Sequence, residues 1–320
     1  MASLLAIGFG AGLASALLFA VVVAGSSLAL VLSLVAPLPI LIAALGWNHR
    51  AGLAATLAGA GAVALAFKPA AGVAFALGWA LPAWWLAYLA LLGRPRQDGV
   101  LEWYPLGRLL LWIAATAAVI TVIGMVALGG GDYETYRATM RKGFEGFLRV
   151  QASRTGGGTG PGGAPGAELF DAIVGAVPLF LASSFVTILT LNLWVAAKVV
   201  SISQRLPRPW PHIPNTAMPR TALALLGGAV VVGFLPGFVG ALGLAVTGAL
   251  LVAFALQGLA MLHEVSRGRP SRGALLAGTY ILAIILSQIM LPALAVAGIA
   301  DAAFDLRHRF PSGGAGPRPT

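Results

Sequence analysis

The first charged side chain in this sequence is Arg50, and charge-free runs of similar length recur almost to the C-terminus. That pattern leaves few folds open, because a helix of about 20 apolar residues spans the hydrocarbon core of a bilayer. Apolar windows lie at 4–24, 27–46, 51–67, 70–92, 107–130, 171–197, 221–236, 238–262 and 274–299. The run 221–262 is too long for one ordinary span. Within it "VGFLPGFVG" (232–240) offers Gly233, Pro236, Gly237 and Gly240 for a tight turn, so it divides into two spans or a span plus a re-entrant segment. The runs are continuous rather than alternating, which excludes a transmembrane β-barrel. The sequence therefore predicts an all-α, polytopic transmembrane helical bundle of eight or nine spans.

Composition agrees. Charged residues make up 9% and hydrophobic residues 59% of the chain, where a soluble domain carries about 25% charged residues. So few charges cannot cover a water-facing surface. The net charge of +10 comes from basic residues spread over loops. That distribution suits anionic lipid headgroups and membrane orientation, and it argues against nucleic acid. The chain has no Cys, which removes disulfides, thiolate metal sites and Cys nucleophiles. Residues 1–24 lack a positive segment ahead of the apolar run, and another run follows at once, so they are expected to be an uncleaved first span. The richness in Ala, Gly and Arg suits a GC-rich bacterial genome, and the expected location is the bacterial cytoplasmic (inner) membrane. With nine spans and the N-terminus inside, eleven Lys and Arg fall on inside loops and nine outside, a small preference for that orientation.

The predicted division is a five-helix half at 1–130, a surface segment at 131–170, a second transmembrane half at 171–300, and a polar, disordered tail at 301–320. Within the surface segment, Tyr133, Tyr136, Met140, Phe144, Phe147 and Leu148 recur at helical spacing between Arg137, Arg141, Lys142 and Glu145. Such a helix lies at the headgroup boundary or packs on a neighbour. "RTGGGTGPGGAPGAE" (154–168) is a flexible linker. It has no Lys-Ser/Thr and no preceding strand, so it is not a phosphate loop.

Several residues stand out as candidates. Gly8, Gly12, Ala16 and Ala20 recur every four residues on the first span, a pattern that lets another helix approach closely, within the chain or in a partner. Pro37 and Pro39 interrupt the second span and free backbone carbonyls for neighbours, water or a ligand. "WNHR" (47–50) closes that span with an interfacial Trp and a positive anchor. Trp79, Pro82, Trp84 and Trp85 form an aromatic patch, read as an interfacial belt or a stacking surface. The uncharged polar residues inside spans are Thr116, Thr121, Ser183, Ser184, Thr187, Thr190, Asn192, Gln257, Thr279, Tyr280, Ser287 and Gln288. Asn192, Gln257 and Gln288 cost most to bury and must find partners, each other or a ligand.

The small-residue first helix, the "PLP" of the second span, Arg50 and Gly52 at the start of the third, the Gly-studded fourth and "LEWYPLGRLLLW" (101–112) together resemble the YybS-like family of bacterial multi-pass membrane proteins, a domain of unknown function. The N-terminal half is in turn similar to the substrate-binding S components of energy-coupling-factor transporters. That resemblance implies docking of Gly8, Gly12 and Ala16 onto a transmembrane coupling subunit driven by ATPases.

No Asp, Glu, Lys or Arg lies in the centre of a span, so no buried charge is expected and neither is an ion-coupled relay. No carboxylate pair or nucleophile with a base is spaced for catalysis. Arg94, Asp98, Glu102 and Arg108 are the only surface set worth weighing. The four His pair at no metal-ligand spacing, and "HEVSR" lacks a second His. The expectation is a non-enzyme without cofactor or metal. It is a subunit binding a small organic solute through Pro37, Pro39, Trp84, Asn192, Gln257 and Gln288, or else a non-transporting scaffold. The lipid bilayer is a partner in both cases.

Overall fold

The computed structural model describes residues 2–24, 26–154 and 167–309. The linker at 155–166 and the tail at 310–320 lie outside the described residues. The described residues are mostly helical and include one small hairpin. Helix α1 (Ala2–Ala20) ends in a tighter turn, and α2 (Ser27–Leu34) and α3 (Leu38–Gly46) form the broken second span. Then come α4 (His49–Ala66), α5 (Pro69–Phe75) and α6 (Leu81–Ala90), the last two joined by a wide π turn. Strands β1 (Gly93–Pro95) and β2 (Leu101–Trp103) pair antiparallel before α7 (Leu106–Gly129). Helices α8 (Tyr133–Arg154), α9 (Ala167–Ile202), α10 (Thr221–Val232), α11 (Gly237–Val265), α12 (Arg272–Ile285), α13 (Ser287–Phe304) and α14 (Leu306–Arg309) follow.

Local chemistry sets these boundaries. Asn48 opens α4, its Oδ1 accepting from the backbone N–H of Arg50 at 2.8 Å and of Ala51 at 3.2 Å. Pro69 occupies the start of α5, where its missing N–H has no consequence. Pro236 and Gly237 separate α10 from α11, and Gly237 has φ +73, a backbone that side chains disfavour.

Among the described residues, seven helices are long and apolar enough to cross a membrane: Ser3–Val23, Leu28–Gly46, Pro69–Ala90, Leu106–Gly129, Asp171–Ile202, Gly237–Val265 and Ser287–Phe304. The chain is a multi-pass membrane protein by that criterion. The other expected windows form α4, which is rich in Gly and Ala, and the short helices α10 and α12. The window 274–299 is not one helix. It breaks at Leu286 (φ −121, ψ 47), and the chain doubles back through α13.

One core runs through both transmembrane sections. Ile40, Leu45, Phe75, Leu86, Val186, Leu189 and Phe254 are all buried in it. Helix α3 packs on α9, and α7 packs on both α9 and α11. Outside, large apolar side chains such as Leu65, Phe234 and Ile284 are exposed, as a lipid-facing surface requires.

The connections between helices sort onto two ends of the bundle. Gly46 meets Val200 and Arg205, Arg208 bonds the carbonyl of Ala90, Gly107 meets Ala217, and Arg267 pairs with His212. These contacts gather the turns after α3, α6, α9 and α11 on one face. Arg307 bonds the 214–216 backbone there too, so the end of α13 returns to it. This face carries Arg50, Arg94, Arg96, Arg108, Lys198, Arg205, Arg208, Arg220, Arg267, Arg269, Arg272, Arg307 and Arg309, whereas the opposite end carries Lys68, Arg137, Arg141 and Lys142.

Candidate functional site

The interrupted second span explains itself through its carbonyls. Pro37 has no N–H to donate, and the chain turns through Val35–Pro37 before α3 begins. Two carbonyls beside the break find side-chain donors from other helices. Asn192 Nδ2 of α9 donates to the Leu34 carbonyl at 3.0 Å, and Ser15 Oγ of α1 donates to that of Ala36. Pro37 is buried and Pro39 half-buried. The break therefore joins three helices. Asn192 Nδ2 also reaches the Ile188 carbonyl at 2.9 Å, while its Oδ1 is buried with no hydrogen-bond partner among the described residues.

The small residues of α1 are occupied inside the chain. A Cβ on Gly8 would lie 2.6 Å from the Ala51 carbonyl oxygen, and one on Gly12 would lie 2.3 Å from that of Ala55. Ala16 is buried. The face expected to dock onto a coupling subunit is thus packed against α4, whose Ala51, Ala54, Ala55, Ala58 and Gly59 present a matching small-residue face. The polar hydroxyl of Thr56 on α4 bonds the carbonyls of Gly52 and Ala80, at 3.0 and 3.2 Å.

Trp84 closes the turn after α3. Its Nε1 donates to the His49 carbonyl at 2.9 Å, and its ring stacks on Tyr88. Trp85 lies edge-on to Trp112. Gln288 is exposed, its Oε1 accepting from Ser287. Pro37, Trp84 and Gln288 thus occupy three different environments, and the structure does not bring them together.

The richest polar cluster surrounds Gln257. This side chain is fully buried in α11, with Oε1 accepting from the Met218 N–H at 2.9 Å and Nε2 donating to Asp301 Oδ2 at 2.7 Å. Asp301, near the end of α13, also pairs with Arg307 Nε at 2.9 Å. Arg307 then donates to the carbonyls of Pro214 at 2.7 Å and Thr216 at 2.6 Å. The expected absence of buried charge is corrected here. Asp301 and Arg307 form a buried ion pair, 3% and 10% exposed. It is tolerated because the guanidinium has carboxylate and carbonyl acceptors around it. The expected tail at 301 is likewise helical to Phe304 and turns through Asp305, φ 54, to place Arg307. An acidic residue left within an otherwise apolar helix was the only sequence signal for this pair.

Other side chains brace the same face. Burial pulls the Arg208 guanidinium below its ordinary range while its Nη1 donates to the Ala90 carbonyl at 3.2 Å. Arg205 lies over Trp47 and Lys198 over Trp210. Arg94 and Glu102 pair across the hairpin, and Asp98 Oδ1 accepts from the Val100 N–H in its turn.

At the opposite end, α8 lays Tyr133, Tyr136 and Met140 onto Met125, Phe238 and Ala241. Its start is capped by Asp132 Oδ2, 2.7 Å from the Thr135 N–H, and that hydrogen bonding holds the carboxyl below its usual range. Burial raises the Tyr136 phenol to about 12.

Among the described residues, no group of three His, Asp or Glu could hold a metal ion. Fold and side chains together define an all-α, multi-pass membrane protein whose interior polar groups link its helices. Comparison of the chain with protein-family models, curated proteins and solved structures finds no match.

Proposed function

We propose that this chain is a non-transporting scaffold of the bacterial cytoplasmic membrane, presenting a braced basic face to an acidic protein partner. The observation that carries the reading is the Arg307 network, in which one side chain ties α13, α11 and the 214–216 backbone together. A loop already fixed in place loses less entropy on binding. The basic residues gathered on that face support a cytoplasmic orientation for it, since Lys and Arg concentrate on inside loops. The scaffold assigns no catalytic residue, cofactor or metal.

The test is cross-linking in membranes followed by mild solubilisation, comparing the wild type with a variant carrying Arg94→Glu, Arg96→Glu and Arg220→Glu. These three arginines are exposed. A partner captured by the wild type, lost in the variant and released by high salt supports the scaffold. Identical behaviour of the two proteins overturns it.

A second reading, a solute-binding subunit powered by a partner ATPase complex, is favoured by one observation. Among the described residues the buried Oδ1 of Asn192 beside the broken helix lacks a donor, and an N–H or O–H of a small organic solute would supply it. Thermal stabilisation by a member of a metabolite panel, abolished by Asn192→Leu, would support this reading.

A further inference from the structure

The oxygens around Arg307 are arranged for a guanidinium. Its Nε donates to Asp301 Oδ2 at 2.9 Å and its Nη1 to the Pro214 carbonyl at 2.7 Å. Its Nη2 donates to the carbonyls of Thr216 at 2.6 Å and Gln257 at 3.4 Å. These acceptors come from α13, the 213–216 turn and α11, whereas Arg307 itself sits in α14. Every nitrogen of the planar fork is thus met by oxygen. An ammonium, a compact point charge, does not match such a fork.

Arg307 nevertheless fills this cradle incompletely. Gln257 Nε2, at 2.7 Å, and Arg307 Nε both use Asp301 Oδ2. Oδ1 of the same side chain, which is 3% exposed, has no hydrogen-bond partner among the described residues. A carboxylate accepts on both oxygens, and a guanidinium can bond both at once when one edge faces them. Arg307 instead arrives side-on at a single oxygen. Its tether turns through Asp305 at φ 54, a left-handed backbone that is costly for a residue with a Cβ. Asp305 and Arg309 are exposed on either side of the half-buried Leu306 and Arg307. The side chain therefore enters from the surface, and its track leads to the buried carboxylate.

We propose that the oxygen cradle at Asp301 is an exchangeable binding site for a small alkylguanidinium solute, closed by the chain's own Arg307. The solute takes over the carbonyls of Pro214 and Thr216 and supplies the donor that Oδ1 lacks, while α14 swings free about Asp305. A bound solute keeps the 214–216 backbone tied to Asp301, so the inference stands whether or not the basic face meets a protein partner.

The test uses the full chain in detergent and ethylguanidinium, which matches the atoms that Arg307→Ala removes beyond Cβ. Ethylammonium at equal concentration controls for charge and ionic strength. Calorimetric titration of Arg307→Ala should show one site for ethylguanidinium and none for ethylammonium. At about ten times its dissociation constant the ion should raise the folded-to-unfolded ratio about elevenfold. The wild type should bind it at least about tenfold more weakly, because a tethered competitor must leave first. In an Arg309→Cys variant labelled with bimane, emission should change on binding as α14 leaves. The double variant Asp301→Ala, Arg307→Ala should bind neither ion. Should Arg307→Ala not fold alone, monodisperse protein recovered with ethylguanidinium and not with ethylammonium reports the same site, and recovery with neither overturns it. Absence of binding to a folded Arg307→Ala also overturns the site. Equal binding of ethylammonium overturns the guanidinium assignment. A wild type that does not bind, or that binds with no change of emission at position 309, overturns the exchange.

Discussion

Replacing Arg307 with alanine tests the account where it is most exposed to error. The side chain is 10% exposed, and its partner Asp301 is 3% exposed. Its loss leaves a buried carboxylate without a cation and takes donors from the carbonyls of Pro214 and Thr216. Removing one member of a buried ion pair costs about 3–5 kcal/mol, because the other charge is left uncompensated. Asp301→Ala should fall toward the lower end, since the guanidinium keeps its carbonyl acceptors while Gln257 Nε2 loses its own. The double variant should lose less than the sum of the two, by more than about 1 kcal/mol, as expected of side chains in contact. Reversible unfolding in mixed micelles, followed by tryptophan fluorescence, measures all three. Single costs below about 1 kcal/mol, or strict additivity in the double, would mean that the pair is solvated and the 214–216 backbone is not tied to the bundle.

Other substitutions follow from the same geometry. Gly12→Ala should destabilise by about 1–3 kcal/mol, because the new Cβ meets the backbone of α4, while Gly10→Ala, with nothing within 4 Å, should be neutral or slightly stabilising in thermal melts. Asn192→Leu should cost about 1–3 kcal/mol by leaving the Leu34 carbonyl unpaired, and a melt matching the wild type would refute the bracing of the broken helix. Tyr136→Phe should be neutral or stabilising, since the buried hydroxyl has no partner among the described residues. The folded phenol titrates at about 12, above its ordinary value of 10.0. Its contribution is therefore complete below pH 10 and is lost as pH rises through about 12. The wild type should show this alkaline loss, and Tyr136→Phe should lack it, in unfolding measured against pH.

Much of the helical layout was legible because apolar length and turn chemistry are local. Pro37 and Pro39 marked a real break, and Gly233 to Gly237 a real turn. The break at Leu286 was not legible, because "AIILSQIM" around it has neither Gly nor Pro. Small residues at Gly8 and Gly12 announced a close approach but could not say that α4 was the partner. The site was harder still. Asn192 and Gln257 were visible as costly buried amides, yet their acceptors and donors are distant in sequence: Leu34, Met218 and Asp301. Arg307 escaped notice because the sharp turn at Asp305, which folds it back onto Asp301, leaves no pattern in the apolar spacing.

The most direct measurement is site-specific cysteine labelling, made simple by a chain that has no native Cys. Single cysteines at Gly99, Arg269 and Arg309 report the braced basic face, and one at Gly146 reports α8. With a membrane-impermeant maleimide, the first three should react only in inverted membrane vesicles and the fourth only in intact spheroplasts. Labelling of position 309 from the side opposite to 99 and 269 would contradict the return of α13 to that face, and with it the Arg307 network on which the scaffold rests.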